Sequence, residues 1–181
     1  GVSPDPVEAI KRSGRQLSGD LYLTAPVDDE NAGPRGLRYI FSEGAVSADS
    51  VIYGEATDLV VQHVFKARLW FELLVKGRSA HGAFPERGIN AIDKAYAAIQ
   101  AIRGIPLEDH PLVGRDTVNI GKIEGGEQVN VVCGTCRVWF DVRWGPTRRS
   151  ADIKRAVHAA LDELKRQDPE FEHEDLVITE D

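Results

Sequence analysis

The 181-residue chain contains no methionine and only two cysteines, and none of its apolar runs approaches membrane length. A chain without even an initiator Met reads as processed or cut from something longer, so further parts are expected; no signal peptide is seen. The longest apolar stretches, Ala95 to Ile102 and Val129 to Cys133, are far shorter than the roughly 20 residues a bilayer-spanning helix needs. Basic residues are in deficit, 22 Lys and Arg against 29 Asp and Glu, for a net charge of −7. That argues against nucleic acid and acidic membranes as partners, because both are bound through a Lys/Arg excess that displaces counterions. A small polar or anionic metabolite stays open. The cysteines form a lone Cys133-x-x-Cys136, and a zinc ribbon would need a second ligand pair that the chain lacks. They read as two small residues in a strand. No internal repeat or low-complexity tract is present.

What is there is an ordinary globular composition, 42% hydrophobic and 28% charged, enough for one sizeable core or one domain with an appendage. Residues Pro6 to Arg15 and Leu37 to Glu43 suit short helices. Leu21 to Val27 and Ser50 to Glu55 are apolar, strand-like runs that each lead into carboxylates, the first into Asp28-Asp29-Glu30. From residue 65 the pattern changes. Lys66 to Lys76 predicts a strand, Ile89 to Arg103 a helix stopped by Gly104 and Pro106, and Asp116 to Lys122 and Asn130 to Trp144 two more strands. Ser150 is the expected N-cap of a second helix, approached by a solvated basic cluster Thr147-Arg148-Arg149, and Phe171 to Ile178 closes with a strand. Strand, helix, strand, strand, helix, strand is the split βαβ plan: an α+β, ferredoxin-like domain with a four-stranded antiparallel sheet and two helices on one face. The expected division is a fragment of an α/β catalytic domain over residues 1–61 and this second domain over 62–181.

The candidate chemistry begins with carboxylates. Asp28, Asp29 and Glu30, followed by Glu55, could supply oxygen ligands and a general base for a hydrolytic metal centre; equally, acids at strand ends cap helices or face solvent. The second constellation runs from Gly77 to Ile92 and places His81 in a Gly- and Pro-rich loop between a strand and a helix, where an imidazole is free to reach a ligand.

Together these residues resemble a known family. Gly-Arg-Ser-Ala-His81-Gly with Pro85, Gly88 and Asn90-Ala91-Ile92 is similar to the lid signature of the metallo-amidohydrolases that include acetylornithine deacetylase, succinyl-diaminopimelate desuccinylase, aminoacylase and the glutamate carboxypeptidases. Asp28-Asp29-Glu30 resembles that family's Asp-Glu-Glu, Gly54-Glu55-Ala56-Thr57 its Gly-Glu-Pro-Thr, Gly125-Gly126 through Asn130-Val131-Val132 its Gly-Gly…Asn-Val-Val-Pro, and Phe140-Asp141-Val142-Arg143 its Asp-x-Arg strand. The resemblance spans residues 20 to about 165, with five motifs in order.

It implies a hydrolase of N-acyl amino acids or small peptides that works through water activated by two zinc ions, with cobalt or manganese as substitutes. Asp29 would be the general base, Glu30 and Glu55 metal ligands, and His81 the lid residue that reaches a partner subunit's site to stabilise the oxyanion. Asn130 and Arg143 would hold substrate, Arg143 by its carboxylate. The implied partners are such a substrate and a second copy, joined as a homodimer through the lid. Cytoplasm is the default location.

Departures are plain. Asp29 is one methylene shorter than the family's Glu, and Ala56 and Cys133 stand where it has Pro. A shifted register, with Glu30 as base and Asn31 as ligand, is disfavoured because Asn binds zinc poorly. The family's early His-x-Asp, bridging Asp and final zinc-binding His have no counterpart, since His63, His110, His158 and His173 lie outside any matching context. The chain by itself is therefore expected to be inactive. The bland alternatives are a dimerisation module, or Arg143 pairing with Asp141 and Asn130 capping a turn.

Overall fold

Apolar runs become strands only where a neighbouring strand answers their backbone groups, and the N-terminal part of the chain shows what happens otherwise. The computed structural model describes residues 6–27, 35–58 and 60–180. Two units divide at residue 56, Gly1–Ala56 and Thr57–Asp181. Among its described residues the first holds two helices, α1 (Pro6–Ser13) and α2 (Leu37–Ser42), where short helices were expected. The strands expected over Leu21 to Val27 and Ser50 to Glu55 are not formed; both segments are irregular, with Leu23 70% and Ile52 98% exposed. No described segment pairs with either run, so their β-propensity has nothing to build a ladder on.

The second unit folds as its alternation dictates. Its long strands are β1 (Ala67–Lys76), β2 (Thr117–Gly125), β3 (Thr135–Trp144) and β4 (Glu172–Glu180), beside a short antiparallel pair at Asp109–His110 and Gly114–Arg115. They form one sheet in the order β2-β3-β1-β4, every neighbouring pair antiparallel. Side chains in a strand alternate between faces, and Leu69, Phe71, Leu73 and Val75 of β1 all turn to the same side. The register sets them opposite Val142, Phe140, Val138 and Cys136 of β3, with the Phe71 and Phe140 rings stacked at 4.8 Å. Each such side chain contributes about 1.5–3 kcal/mol by leaving water.

Two helices cover that face, α3 (Ala91–Arg103) and α4 (Ser150–Gln167). α3 buries Ala95, Ala98, Ile99 and Ile102, and α4 buries Ile153, Val157 and Leu161, all in one core with the sheet. The small alanines of α3 let it lie close to the strands. The α+β architecture expected from the sequence, four antiparallel strands with two helices on one face, is the one observed.

Three local expectations are corrected. The predicted strand from Asn130 begins only at Thr135, because residues 130–134 turn away: Val132 N–H donates to Ala80 O at 2.8 Å and Gly77 N–H to Gly134 O at 2.8 Å. Ser150 is the first helical residue rather than the cap. The extended residue Arg149 precedes it, and its backbone N–H is held by the Asp152 carboxylate at 3.1 Å. Finally, Arg148 is not solvated. Its guanidinium donates to Asp116 Oδ2 at 2.7 Å and to Pro106 O at 2.9 Å, joining the segment before β2 to the start of α4.

Candidate functional site

The loop that carries His81 is tied at its base by backbone geometry. It leaves β1 after Lys76, and Arg78 and Ile89 exchange both of their backbone hydrogen bonds at 2.8 Å, so the residues between them form a closed excursion. A 3₁₀ turn at Pro85–Arg87 folds the excursion back, and Asn90 then caps α3 by accepting from Ile92 N–H at 3.0 Å. The loop's near side forms a miniature ladder with the segment after β2. Gly82 N–H donates to Asn130 O at 2.7 Å, Val132 N–H to Ala80 O, and His81 bridges Val131. Gly82 is required for this approach, since a Cβ there would meet Asn130 O at 2.9 Å.

His81 is thereby presented outward. Its side chain is exposed, and Nδ1 accepts from Ala83 N–H at 3.1 Å. In the neutral imidazole that bond places the proton on Nε2, leaving an N–H donor free of the loop's own bonding. Phe84 lies beside it, ring centroids 6.3 Å apart, with the Arg87 guanidinium 4.6 Å over the Phe84 ring. Asn130 is exposed directly alongside. The structure therefore brings these two expected residues together.

Arg143 stands elsewhere. It lies on the sheet face away from the helices, opposite Arg68 near the start of β1, whereas the His81 loop leaves the far end of that strand. At about 3.3 Å per residue the two ends are on the order of 25 Å apart. Asp141 accepts from Arg143 Nε at 2.6 Å and from Nη2 at 2.9 Å, which fixes the guanidinium plane. Nη1 and the second Nη2 hydrogen remain for another acceptor, and the side chain is 34% exposed. Trp70 and Trp139 flank this face, the latter under Lys122 at 4.5 Å.

Asp29 and Glu30 lie outside the described residues. Glu55, in the first unit, is exposed on irregular backbone. Among the described residues no three His, Cys, Asp or Glu side chains converge as a metal site. Zinc needs about four donors, so the described residues by themselves do not fit a catalytic zinc pair. The pairing of Arg143 with Asp141, offered from the sequence as the alternative to substrate binding, is formed. Sequence reasoning missed the Asp116–Arg148 clamp, which joins residues far apart in the chain and left no local pattern.

Comparisons with known proteins agree with the fold of the second unit. The family model described as peptidase dimerisation domain matches residues 65–169. An acetylornithine deacetylase from Vibrio cholerae is 31% identical over 170 residues, covering 90% of this chain and 45% of that protein; one from Proteus mirabilis is 29% identical over 161 residues, covering 85% and 41%. The chain thus spans less than half the length of these relatives. Among solved structures, an aminobenzoyl-glutamate utilization protein from Klebsiella pneumoniae aligns with a TM-score of 0.54 at 23% identity, over 64% of this chain and 29% of that one. An amidase of the hydantoinase/carbamoylase family from Burkholderia phymatum gives 0.55 at 17%, over 65% and 30%. Both likenesses concern the fold.

Proposed function

This chain belongs to the peptidase dimerisation domain family, and from that membership we propose that it is the lid of a metal-dependent amidohydrolase cleaving N-acyl amino acids or small peptides. The observation that carries this reading is the placement of its polar groups at opposite ends of one sheet. His81 and Asn130 project from one end, Arg143 from the other, and a separation on the order of 25 Å is too great for a single small substrate to bridge. Two copies related by a two-fold axis resolve this, each lending its His81 loop to the site that its partner's Arg143 serves.

In that arrangement Arg143, oriented by Asp141, holds the substrate carboxylate on its open edge, and the Nε2–H of His81 donates to the oxyanion that develops on the scissile carbonyl. Asn130, carried on the same miniature ladder as His81, positions the acyl part. The relatives named acetylornithine deacetylase support an N-acyl amino acid as substrate. Metal ligation by Glu30 and Glu55 and proton transfer by Asp29 remain part of the proposal for the catalytic unit.

The surface for the second copy is proposed to be the β2 edge with the adjoining stripe of α3. Among the described residues β2 pairs only with β3, and Ile123 on it is 51% exposed. Beside its end lies Ile92, 42% exposed, and about one helical turn further along α3 is Tyr96, 64% exposed. An open ladder edge next to apolar side chains is a surface that a copy of itself completes. Light scattering tests the association: the expected mass is twice 19.9 kDa. An amide-hydrolysis assay with added zinc tests the division of labour, since chelator-sensitive turnover by the 181-residue chain alone would contradict a lid that only positions.

A further inference from the structure

We propose that Cys133 and Cys136 are a peroxide-reactive dithiol, in which a hydroperoxide entering the cavity beside the His81 loop oxidises Cys133 and Cys136 then closes an intrachain disulfide. The inference is independent of the hydrolase reading. Its first support is convergence of the sulfurs. Both are free thiols, and both face the α-carbon of Gly125: a Cβ built there would lie 3.0 Å from Cys136 Sγ and 3.4 Å from Cys133 Sγ. Glycine at 125 leaves a space that both sulfurs border, and a bend at Gly134 separates Cys133 from the strand that carries Cys136.

Buried thiols are ordinarily inert because oxidants cannot reach them. Cys133 is itself only 4% exposed and its Sγ donates to Thr135 O at 3.0 Å, but the residue lines a cavity of about 440 Å³ together with Ser79, Gly125, Glu127 and Thr135, which gives a small oxidant a way to its side. A water molecule occupies only about 30 Å³ of liquid, so a small hydroperoxide fits with room to spare. Cys136 is fully buried, and that burial, with Cys133 nearby, pushes its thiol up to about 11. It stays protonated at neutral pH and does not take the first step.

The chemistry balances. The Cys133 sulfur attacks one peroxide oxygen, the O–O bond breaks, and water leaves with the thiol proton, giving a sulfenic acid. The Cys136 sulfur then attacks Cys133 Sγ, the S–O bond breaks, and a second water leaves. Two thiols are oxidised to one disulfide and one hydrogen peroxide is reduced to two waters. The segment modified is the one that ties the site together, since Cys133 O accepts from Ala91 N–H at 2.9 Å and Val132 from the same segment pairs with Ala80 beside His81.

The test is to treat the folded 181-residue chain with hydrogen peroxide and follow intact mass and thiol count. Expected are a loss of about 2 Da and of both thiols, restored by a dithiol reductant. In Cys136→Ser, dimedone should trap a sulfenic acid at Cys133; in Cys133→Ser, Cys136 should remain unmodified. An unchanged wild-type mass, oxygen addition without disulfide, or a disulfide only between chains would overturn the proposal, whatever the folding of the variants.

Discussion

At Asp116 a carboxylate that is 3% exposed stays charged inside the fold. Burial alone would push its pKa up; the Arg148 guanidinium and the backbone N–H groups of Glu108 and Gly145 outweigh that and hold it below its ordinary value. A carboxylate depressed in this way stabilises the fold fully above its unfolded pKa, and the contribution is lost as pH falls through the folded value. His173 behaves differently in cause but not in sign. Burial lowers its pKa, opposed by Asp175 and reinforced by His158 and Lys165, with Asp162 again opposing. Because the unfolded imidazole takes up its proton first, stability is full above pH 6.5 and falls below it. Denaturant midpoints measured from pH 8 to pH 3 should therefore decline in two stages, the first flattened in His173→Gln. Asp116→Ala, which takes from the buried Arg148 its nearest carboxylate, should cost about 3 kcal/mol at neutral pH in the same measurement.

Among the elements, β1 and β3 carry the core and the His81 excursion carries the proposed site, so substitutions in the two should separate stability from the proposed function. Leu73→Ala, at a fully buried position facing Val138, is expected to cost about 2–5 kcal/mol of unfolding free energy without altering the loop. Gly82→Ala should do the reverse, prising the loop from Asn130 while costing the fold little, and amide hydrogen exchange at Gly82 and Val132 should report the opening. The strands and helices of this unit were legible because their periods are. Val138, Phe140 and Val142 alternate, and Ile153, Val157 and Leu161 recur at helical spacing. The His81 loop was legible through its Gly, Pro and Asn90 signals. What local pattern could not convey was long-range pairing. Asn130 to Gly134 looks like strand but binds the loop instead, Arg148 looks like surface but finds Asp116, and Leu21 to Val27 looks like strand but meets no described neighbour.

For the whole molecule, one sheet presents functional groups at both ends, and in the proposed reading this makes a second copy part of each site. Tyr96→Glu, placing a charge in the exposed α3 stripe beside β2, should convert a dimer to a monomer in light scattering without loss of helical circular dichroism. The most direct measurement of shared sites is subunit complementation of the proposed amide hydrolysis in the full-length protein. His81→Ala and Arg143→Ala proteins, each nearly inactive alone, are mixed one to one and allowed to exchange subunits. If His81 acts across the dimer and Arg143 within its own subunit, half the dimers are mixed and each holds one intact site, so about a quarter of wild-type activity returns. Activity no higher than that of the two variants assayed separately would place both residues in one subunit's site and contradict the account.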